Sequence, residues 1–210
     1  MPALPSQLMT HPMIPSFPGD WRRRVLRAIA LSCAFVSATA VAAIDFTPSF
    51  TEREIDGVVF KQLSFQENGH RITYERPLGW SCTGSAVGLQ LSPPDGKGVL
   101  GTIEQSPLPA PQPLDEATLK LLQLRALSSL PAGSQGATVV AEEQNPIRIK
   151  GRDTYGVTID FVQQGQDYRT NVLFANLEDT QLRFQLVARK ADFEKFFRNF
   201  RGSLYTLRWL

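Results

Sequence analysis

The stretch that decides the fold runs from Thr154 to Arg189 and reads TYGVTIDFVQQGQDYRTNVLFANLEDTQLRFQLVAR. Apolar and polar residues alternate in three of its segments, Thr154–Gln163, Gln166–Asn176 and Thr180–Arg189, as in strands that bury one face. The connections between these segments have only two and three residues, so consecutive strands are expected to pair antiparallel. The stretch therefore predicts a meander at the centre of an antiparallel sheet.

Two further strand pairs are predicted upstream of the meander. Gly57–Phe65 and His70–Glu75 alternate in the same way, and Asn68-Gly69 between them is a strong signal for a hairpin turn. Ala86–Leu91 is expected to pair with Val99–Glu104. These strands extend the antiparallel sheet.

A helix is predicted over Leu114–Leu130, with Asp115 as the candidate N-cap and Pro131 as the stop. Because a surface helix buries its apolar face, one apolar stripe should pack on the sheet. That stripe consists of Ala117, Leu121 and Leu124, broadened by Leu119, Leu122 and Ala126.

A second helix is predicted over Asp192–Arg201, closed by Gly202. Phe193, Phe196, Phe197 and Phe200 recur in it at helical spacing, which is typical of a helix packed on a core. The order of strands, helix, meander and helix predicts an α+β fold, in which a single antiparallel sheet carries packed helices.

The front of the chain is expected to be processed rather than folded. Residues 1–20 contain five prolines and no periodic pattern, so they are interpreted as disordered or as a misassigned start. Residues 21–43 have the basic and apolar regions of a signal peptide. Small residues offer cleavage at Ala40, Ala42 or Ala43, and the cut is expected after Ala42 or Ala43. Residues 44–210 then form a single domain.

Alternatives to this export signal remain open. The apolar run Ala28–Ile44 could be retained as an uncleaved membrane anchor, although its 17 residues span only about 26 Å of a roughly 30 Å hydrocarbon core. Arg22 to Arg27 resembles a twin-arginine signal, so export uses either the Sec or the twin-arginine route. The domain is expected in the periplasm or outside the cell. Contact with the membrane is expected only through the signal segment, if that segment is not cleaved.

The charge of the domain gives no reason to expect a nucleic-acid partner. Residues 44–210 have 18 Lys and Arg against 19 Asp and Glu, which is nearly neutral. Basic residues nevertheless outnumber acidic ones toward the carboxyl end. This asymmetry is interpreted as a docking face for an acidic protein or an anionic envelope polymer, or as a solvated surface. The candidate docking residues are Arg183, Arg189, Lys190, Lys195, Arg198 and Arg201.

No catalytic, cofactor or metal site is predicted. His70 is the only histidine after residue 43, and together with Cys82 it does not make the ligand set that zinc requires. Cys82 is interpreted as a reactive thiol, as one half of an intermolecular disulfide, or as a small buried side chain behind Trp80. Gly96–Gly101 has the glycine spacing of a dinucleotide-binding fingerprint. It is not interpreted as one, because a predicted strand follows it instead of the helix that such a site requires.

Four features of the chain resemble the PsbP-like family. They are YERPLGW at Tyr74–Trp80, a proline-rich approach to the first helix, the meander over Gly151–Arg189 and the Phe193–Leu204 segment. The family includes an extrinsic photosystem subunit, a nuclear factor that binds a small GTPase, and bacterial exported proteins. The resemblance implies an α/β/α sandwich with an antiparallel sheet of about six strands, and members that bind rather than catalyse. It assigns no functional residue in this chain.

The function expected from these features is that of an exported, non-enzymatic binding domain, which docks on a protein assembly of the cell envelope and needs no cofactor. One alternative is an exported hydrolase that uses two carboxylates converging in a cleft. Another is a carrier of a small ligand, which would have an apolar pocket between the Leu114–Leu130 helix and the sheet.

Overall fold

The computed structural model describes residues 44–56 and 58–210, and the predicted start, signal peptide and cleavage candidates lie outside these ranges. The described residues form eleven strands and two helices. In chain order they are β1 (Ile44–Ile55), β2 (Val58–Glu67), β3 (His70–Tyr74), β4 (Ser81–Ser85), β5 (Gly88–Ser92), β6 (Leu100–Pro107), α1 (Glu116–Ser128), β7 (Gln135–Gln144), β8 (Thr154–Gln163), β9 (Gln166–Asn176), β10 (Thr180–Arg189), α2 (Phe193–Leu204) and β11 (Arg208–Trp209).

The predicted meander is confirmed, since β8, β9 and β10 have the predicted bounds and pair antiparallel in that order. Gln164 and Gly165 connect β8 to β9 with φ angles of 50° and 72°. Two consecutive residues with positive φ give the hairpin turn whose twist matches that of the flanking strands. The predicted β2–β3 hairpin forms by the same mechanism at Asn68 and Gly69, with φ angles of 50° and 79°.

The strands form two sheets, so the prediction of a single sheet is wrong. One sheet has four strands in the order β1-β2-β3-β11, and the other has seven in the order β4-β5-β6-β10-β9-β8-β7. Leu63 and Ile72 of the smaller sheet pack in one core with Phe184 of the larger one. The two sheets thus bury their apolar sides face to face, which strand alternation cannot distinguish from pairing edge to edge.

Helix α1 packs on the opposite face of the seven-stranded sheet. Its N-cap is Asp115, as predicted, whose side chain accepts a hydrogen bond from the Thr118 N–H at 2.8 Å. Its fully buried residues are Leu122 and Ala126. The predicted buried face of the helix, which sets the phase of α1 about its own axis, is wrong in part. The stripe of Ala117, Leu121 and Leu124 faces solvent.

Helix α2 lies on the same face of the seven-stranded sheet as the four-stranded sheet. Phe193, Phe196 and Phe200 are buried in the core between them, as predicted. Gly202 does not end the helix, which continues to Leu204 because Ser203 and Leu204 are also buried. The order of layers is therefore α1, the seven-stranded sheet, and a mixed layer of α2 and the four-stranded sheet.

Candidate functional site

The six basic residues predicted as one docking face lie on both faces of the seven-stranded sheet. Arg183 lies on the α1 face, where Gln181, two residues before it on β10, accepts a hydrogen bond from Arg125. The members on α2 lie at the opposite face, on which that helix packs. Arg183 therefore belongs to a different surface from the basic residues of α2.

Two of the remaining five residues form ion pairs. Arg201 contacts both carboxylate oxygens of Glu143 at 3.2 Å. Lys190 contacts Asp160 at 2.8 Å. Each of these two basic side chains therefore already has an acidic partner within the fold.

The other three basic residues have no carboxylate partner among the ion pairs of the described ranges. Lys195 lies over the ring of Phe196, with 5.3 Å from Nζ to the centroid, and Arg198 donates to a main-chain carbonyl oxygen. Arg189 is exposed at the end of β10. Docking through these side chains stays a prediction.

Asp160 is the centre of the ion-pair network beside the start of α2. Arg169 donates to both of its carboxylate oxygens, at 2.6 and 3.0 Å, and Lys190 adds a third contact. These bonds, those from Arg169 first, hold the pKa of Asp160 below its ordinary value. Arg169 also lies over the ring of Phe193, so the network fixes the first turn of α2 on the sheet.

A groove of about 340 Å³ lies between α1 and the ends of β6 and β10. Four elements line it, namely α1, β6, β10 and, through Phe174, β9. An arginine projects from α1 and another from β10. The polar residues that line the groove are Glu104, Gln105 and Ser106 on β6, Arg125 and Ser128 on α1, and Gln181 and Arg183 on β10.

The two arginines of this groove have different partners. Arg183 donates to the carboxylate of Glu104, its register partner on β6, and both side chains are partly exposed. Arg125 donates from Nη1 to the neutral Gln181 Oε1 at 3.0 Å. One guanidinium is thus paired with an acid and the other with an amide.

A relay of buried amides holds Arg125 in place. Gln181 is only 3% exposed, and its Nε2 donates to Asn176 Oδ1 at 2.7 Å. The Asn176 side chain in turn donates to the main-chain oxygen of Gln112 at 3.2 Å. Because buried amides must be satisfied, the relay fixes where Gln181 Oε1 points and therefore where the guanidinium lies.

Two leucines of α1 extend the groove to the outer surface of the helix. Leu121 is 42% exposed and Leu124 is 56% exposed. They lie one helical turn before Arg125 and Ser128, respectively, so they are neighbours of these groove residues on the helix surface. The sequence pattern predicts that both leucines are buried, and the structure places an apolar stripe beside a charged groove instead.

A second cavity, of about 370 Å³, lies beside the β2–β3 turn and the loop between β9 and β10. Glu67 and Glu178 line it, as two converging carboxylates of a hydrolase would. Lys150 binds Glu67 at 2.9 Å, and Arg152 binds Glu178 at 3.1 Å. His70 also lines this cavity and is exposed. Asp179, the third acid of the lining, accepts a hydrogen bond from the Thr180 hydroxyl at 3.0 Å. Because the two other acids serve in ion pairs, the cavity does not favour the hydrolase.

Cys82 is half-buried against the core rather than fully buried behind Trp80. Arg76 donates from Nη1 toward the Cys82 Sγ at 3.4 Å. The same guanidinium lies 5.7 Å from the centroid of the exposed Phe50 ring. Arg76 therefore bridges β1 and β4.

The interface between α1 and the sheet is filled with side chains. Leu122 and Ala126 pack there on Val157, Ile159 and Phe174, each at most 1% exposed. The apolar pocket that the carrier hypothesis requires at this place is therefore occupied by the protein's own core.

Within residues 44–56 and 58–210, no set of three or more His, Cys, Asp and Glu side chains is arranged to hold a metal ion. Neither helix of this part of the chain has the length and the apolar character needed to cross a membrane.

The sequence interpretation missed Glu104, Arg125 and Gln181 as site residues. A signal for them exists in β10, where Gln181, Arg183 and Gln185 place polar side chains on the face that a helix partly covers. A polar strand face under a helix indicates a polar groove beside that helix. To find the groove, one must also know which side of α1 packs on the sheet. The pattern of its leucines does not determine this.

Comparisons with known proteins reach only the fold. No family model and no curated protein matches the sequence. Among solved structures, cyanobacterial PsbP (CyanoP) from Synechocystis sp. PCC 6803 is similar, at 10% identity and a TM-score of 0.47, over 85% of this chain and 99% of that one. PA94 from Pseudomonas aeruginosa, a protein of unknown function and putative regulator, has 14% identity and a TM-score of 0.44, over 76% of this chain and 96% of that one. The first belongs to the family that the sequence motifs resemble, and neither likeness supplies a functional residue.

Proposed function

We propose that this chain is an exported, non-enzymatic binding domain that docks on a protein assembly of the cell envelope. The observation that carries the proposal is the orientation of α1, which turns Leu121 and Leu124 to solvent. Apolar side chains exposed next to one another, beside polar groups, are typical of surfaces that bind another protein. The neighbouring groove adds two arginines, which are frequent at such surfaces.

Export is the second part of the proposal, and it is supported by the signal features of residues 21–43. Ile44 follows the last cleavage candidate, and its main chain is bound by Gln105 of β6. A cut after Ala42 or Ala43 therefore leaves this contact in the product.

Amino-terminal sequencing of the protein from its own cells tests export, with a first residue of Ala43 or Ile44 as the expected result. The change Ala40→Arg distinguishes the two cuts. It removes the small residue required for cleavage after Ala42 and leaves Val41 and Ala43, which serve cleavage after Ala43. Recovery of the uncut chain from the cytoplasm would contradict the proposal.

Docking is tested by capturing the tagged, full-length chain from envelope fractions of its own cells and identifying what co-purifies. The informative variant carries Leu121→Ser with Leu124→Ser, and its matched control is Val140→Ser, an equally exposed apolar residue on β7. A partner in roughly equal amount, lost with the double variant and kept with the control, supports docking through α1. No partner, or one that the double variant retains, contradicts it.

A further inference from the structure

We propose that the groove between α1 and the β6–β10 strand ends binds an acidic segment of the protein partner. Arg125 and Arg183 hold one carboxylate of the segment, and an apolar side chain next to it packs on Leu121 and Leu124. The inference rests on the proposed function and adds the chemistry of the partner.

Arg125 is a positioned cation whose charge is not matched within the fold. A guanidinium has five N–H donors, and Gln181 accepts one of them through a neutral oxygen. The ion pairs of the described residues do not include Arg125. The relay through Asn176 holds Gln181, so Arg125 has a fixed acceptor in the groove before a ligand arrives. An ordered side chain loses less entropy on binding than a free one.

Arg183 shows that a carboxylate fits in this groove, because Glu104 already provides one. The Glu104 side chain is 45% exposed, and an ion pair with that much water contact contributes little to stability. A carboxylate from a partner can therefore share Arg183 or replace Glu104. Arginine suits this role because its planar fork binds a carboxylate with two parallel hydrogen bonds.

The charge of the groove favours an acid as the ligand. Its lining contains two arginines and one glutamate, so one positive charge is left over. A single carboxylate neutralises it, whereas a neutral or basic segment does not. The leucines beside Arg125 distinguish a peptide from a small anion, because a phosphate ion would contact the arginines without using the apolar surface.

The test is an NMR titration of the isotope-labelled exported chain with the peptide acetyl-Leu-Glu-Glu-Leu-amide. Its controls are acetyl-Leu-Gln-Gln-Leu-amide and inorganic phosphate. The acidic peptide should shift the side-chain Nε–H signals of Arg125 and Arg183 and the main-chain signals of Leu121 and Ser128. The expected dissociation constant is about 1 mM, and the amide peptide should bind about tenfold more weakly.

Two variants separate a binding role from a structural one. Arg125→Gln should weaken binding of the acidic peptide about tenfold, because it removes the positioned charge. Glu104→Gln should strengthen binding several-fold, because it releases Arg183 and removes a competing acid. A purely structural ion pair would give weaker or unchanged binding in Glu104→Gln, and that result would overturn the inference.

Other outcomes also decide the question. Equal binding of the amide peptide, or phosphate binding as tight as that of the acidic peptide, overturns the inference. Capture of a partner through the two leucines, with unchanged affinity for the Arg125→Gln and Glu104→Gln variants, also overturns the inference about the groove. The proposal that the domain docks through α1 then stands. Binding of the acidic peptide with the expected variant effects, in a chain that captures no partner, supports the groove chemistry while the proposed function fails.

Discussion

The side-chain amide of Gln105 binds both main-chain polar groups of Ile44. Its Oε1 accepts from the Ile44 N–H at 2.8 Å, and its Nε2 donates to the Ile44 carbonyl oxygen at 2.6 Å. Gln105 follows Glu104, the last residue of β6 that pairs with β5. The side chain thus supplies the hydrogen bonds that a neighbouring strand would otherwise supply. It joins the start of β1 to the seven-stranded sheet.

Gln105→Ala should lower the free energy of unfolding by about 1–3 kcal/mol, because it leaves the polar groups of the buried Ile44 without partners. Urea unfolding of the purified chain measures the effect. Gln90→Ala is the matched control, since Gln90 is exposed on the adjacent strand β5, and it should change stability by no more than about 0.5 kcal/mol. Equal effects of the two changes would mean that the hydrogen bonds between Gln105 and Ile44 add nothing to stability.

The meander and the start of α1 could be predicted because their signals are local. Alternation fixes which side of β10 is buried, short turns such as Gln164-Gly165 fix antiparallel pairing, and Asp115 caps the helix from within its own sequence. The division into two sheets could not be predicted. It depends on whether β3 meets the larger sheet at its edge or across its face, and both arrangements bury Ile72 equally well.

The groove could not be predicted because it depends on the phase of α1. Leucines occur on several sides of this helix, so its apolar period does not single out one buried face. The structure buries Leu122 and exposes Leu121 one position away. That choice turns Arg125 toward Gln181 and brings the helix beside Arg183.

The phase of α1 makes a direct prediction for two neighbouring leucines. Leu122→Ala should lower the free energy of unfolding by about 2–5 kcal/mol, because the fully buried side chain leaves a cavity against the sheet. Leu121→Ala should change it by no more than about 0.5 kcal/mol, because this residue is on the outer surface. Chemical denaturation of both variants measures the difference. A larger loss for Leu121→Ala would contradict the structure of the helix layer.

Asp160 should make the free energy of unfolding depend on pH in the acid range. Its pKa in the folded protein is lowered by Arg169 first and then by Lys190, while in the unfolded chain it is about 3.9. The stabilising contribution is therefore present above about pH 4 and is lost as the pH falls through the lower folded value. Asp160→Asn should destabilise the protein by about 1–3 kcal/mol at pH 7 and by much less at pH 2.

Urea unfolding at several pH values measures this dependence. Asp153→Asn is the control, because Asp153 pairs with Arg148 at an exposed site and contributes little at any pH. A difference between wild type and Asp160→Asn that stays constant from neutral to acid pH would show that the network does not act through charge.

Two glycines should respond to alanine in opposite directions. Gly202 lies inside α2, and a Cβ added there meets nothing within 4 Å. Since glycine costs roughly 0.5–1 kcal/mol relative to alanine within a helix, Gly202→Ala should stabilise the protein by about that amount. A Cβ on Gly84 would lie 2.1 Å from the main-chain oxygen of Phe46, so Gly84→Ala should destabilise by about 1–3 kcal/mol. Thermal unfolding of both variants measures the two signs, and destabilisation by Gly202→Ala would mean that α2 ends where the sequence pattern predicts.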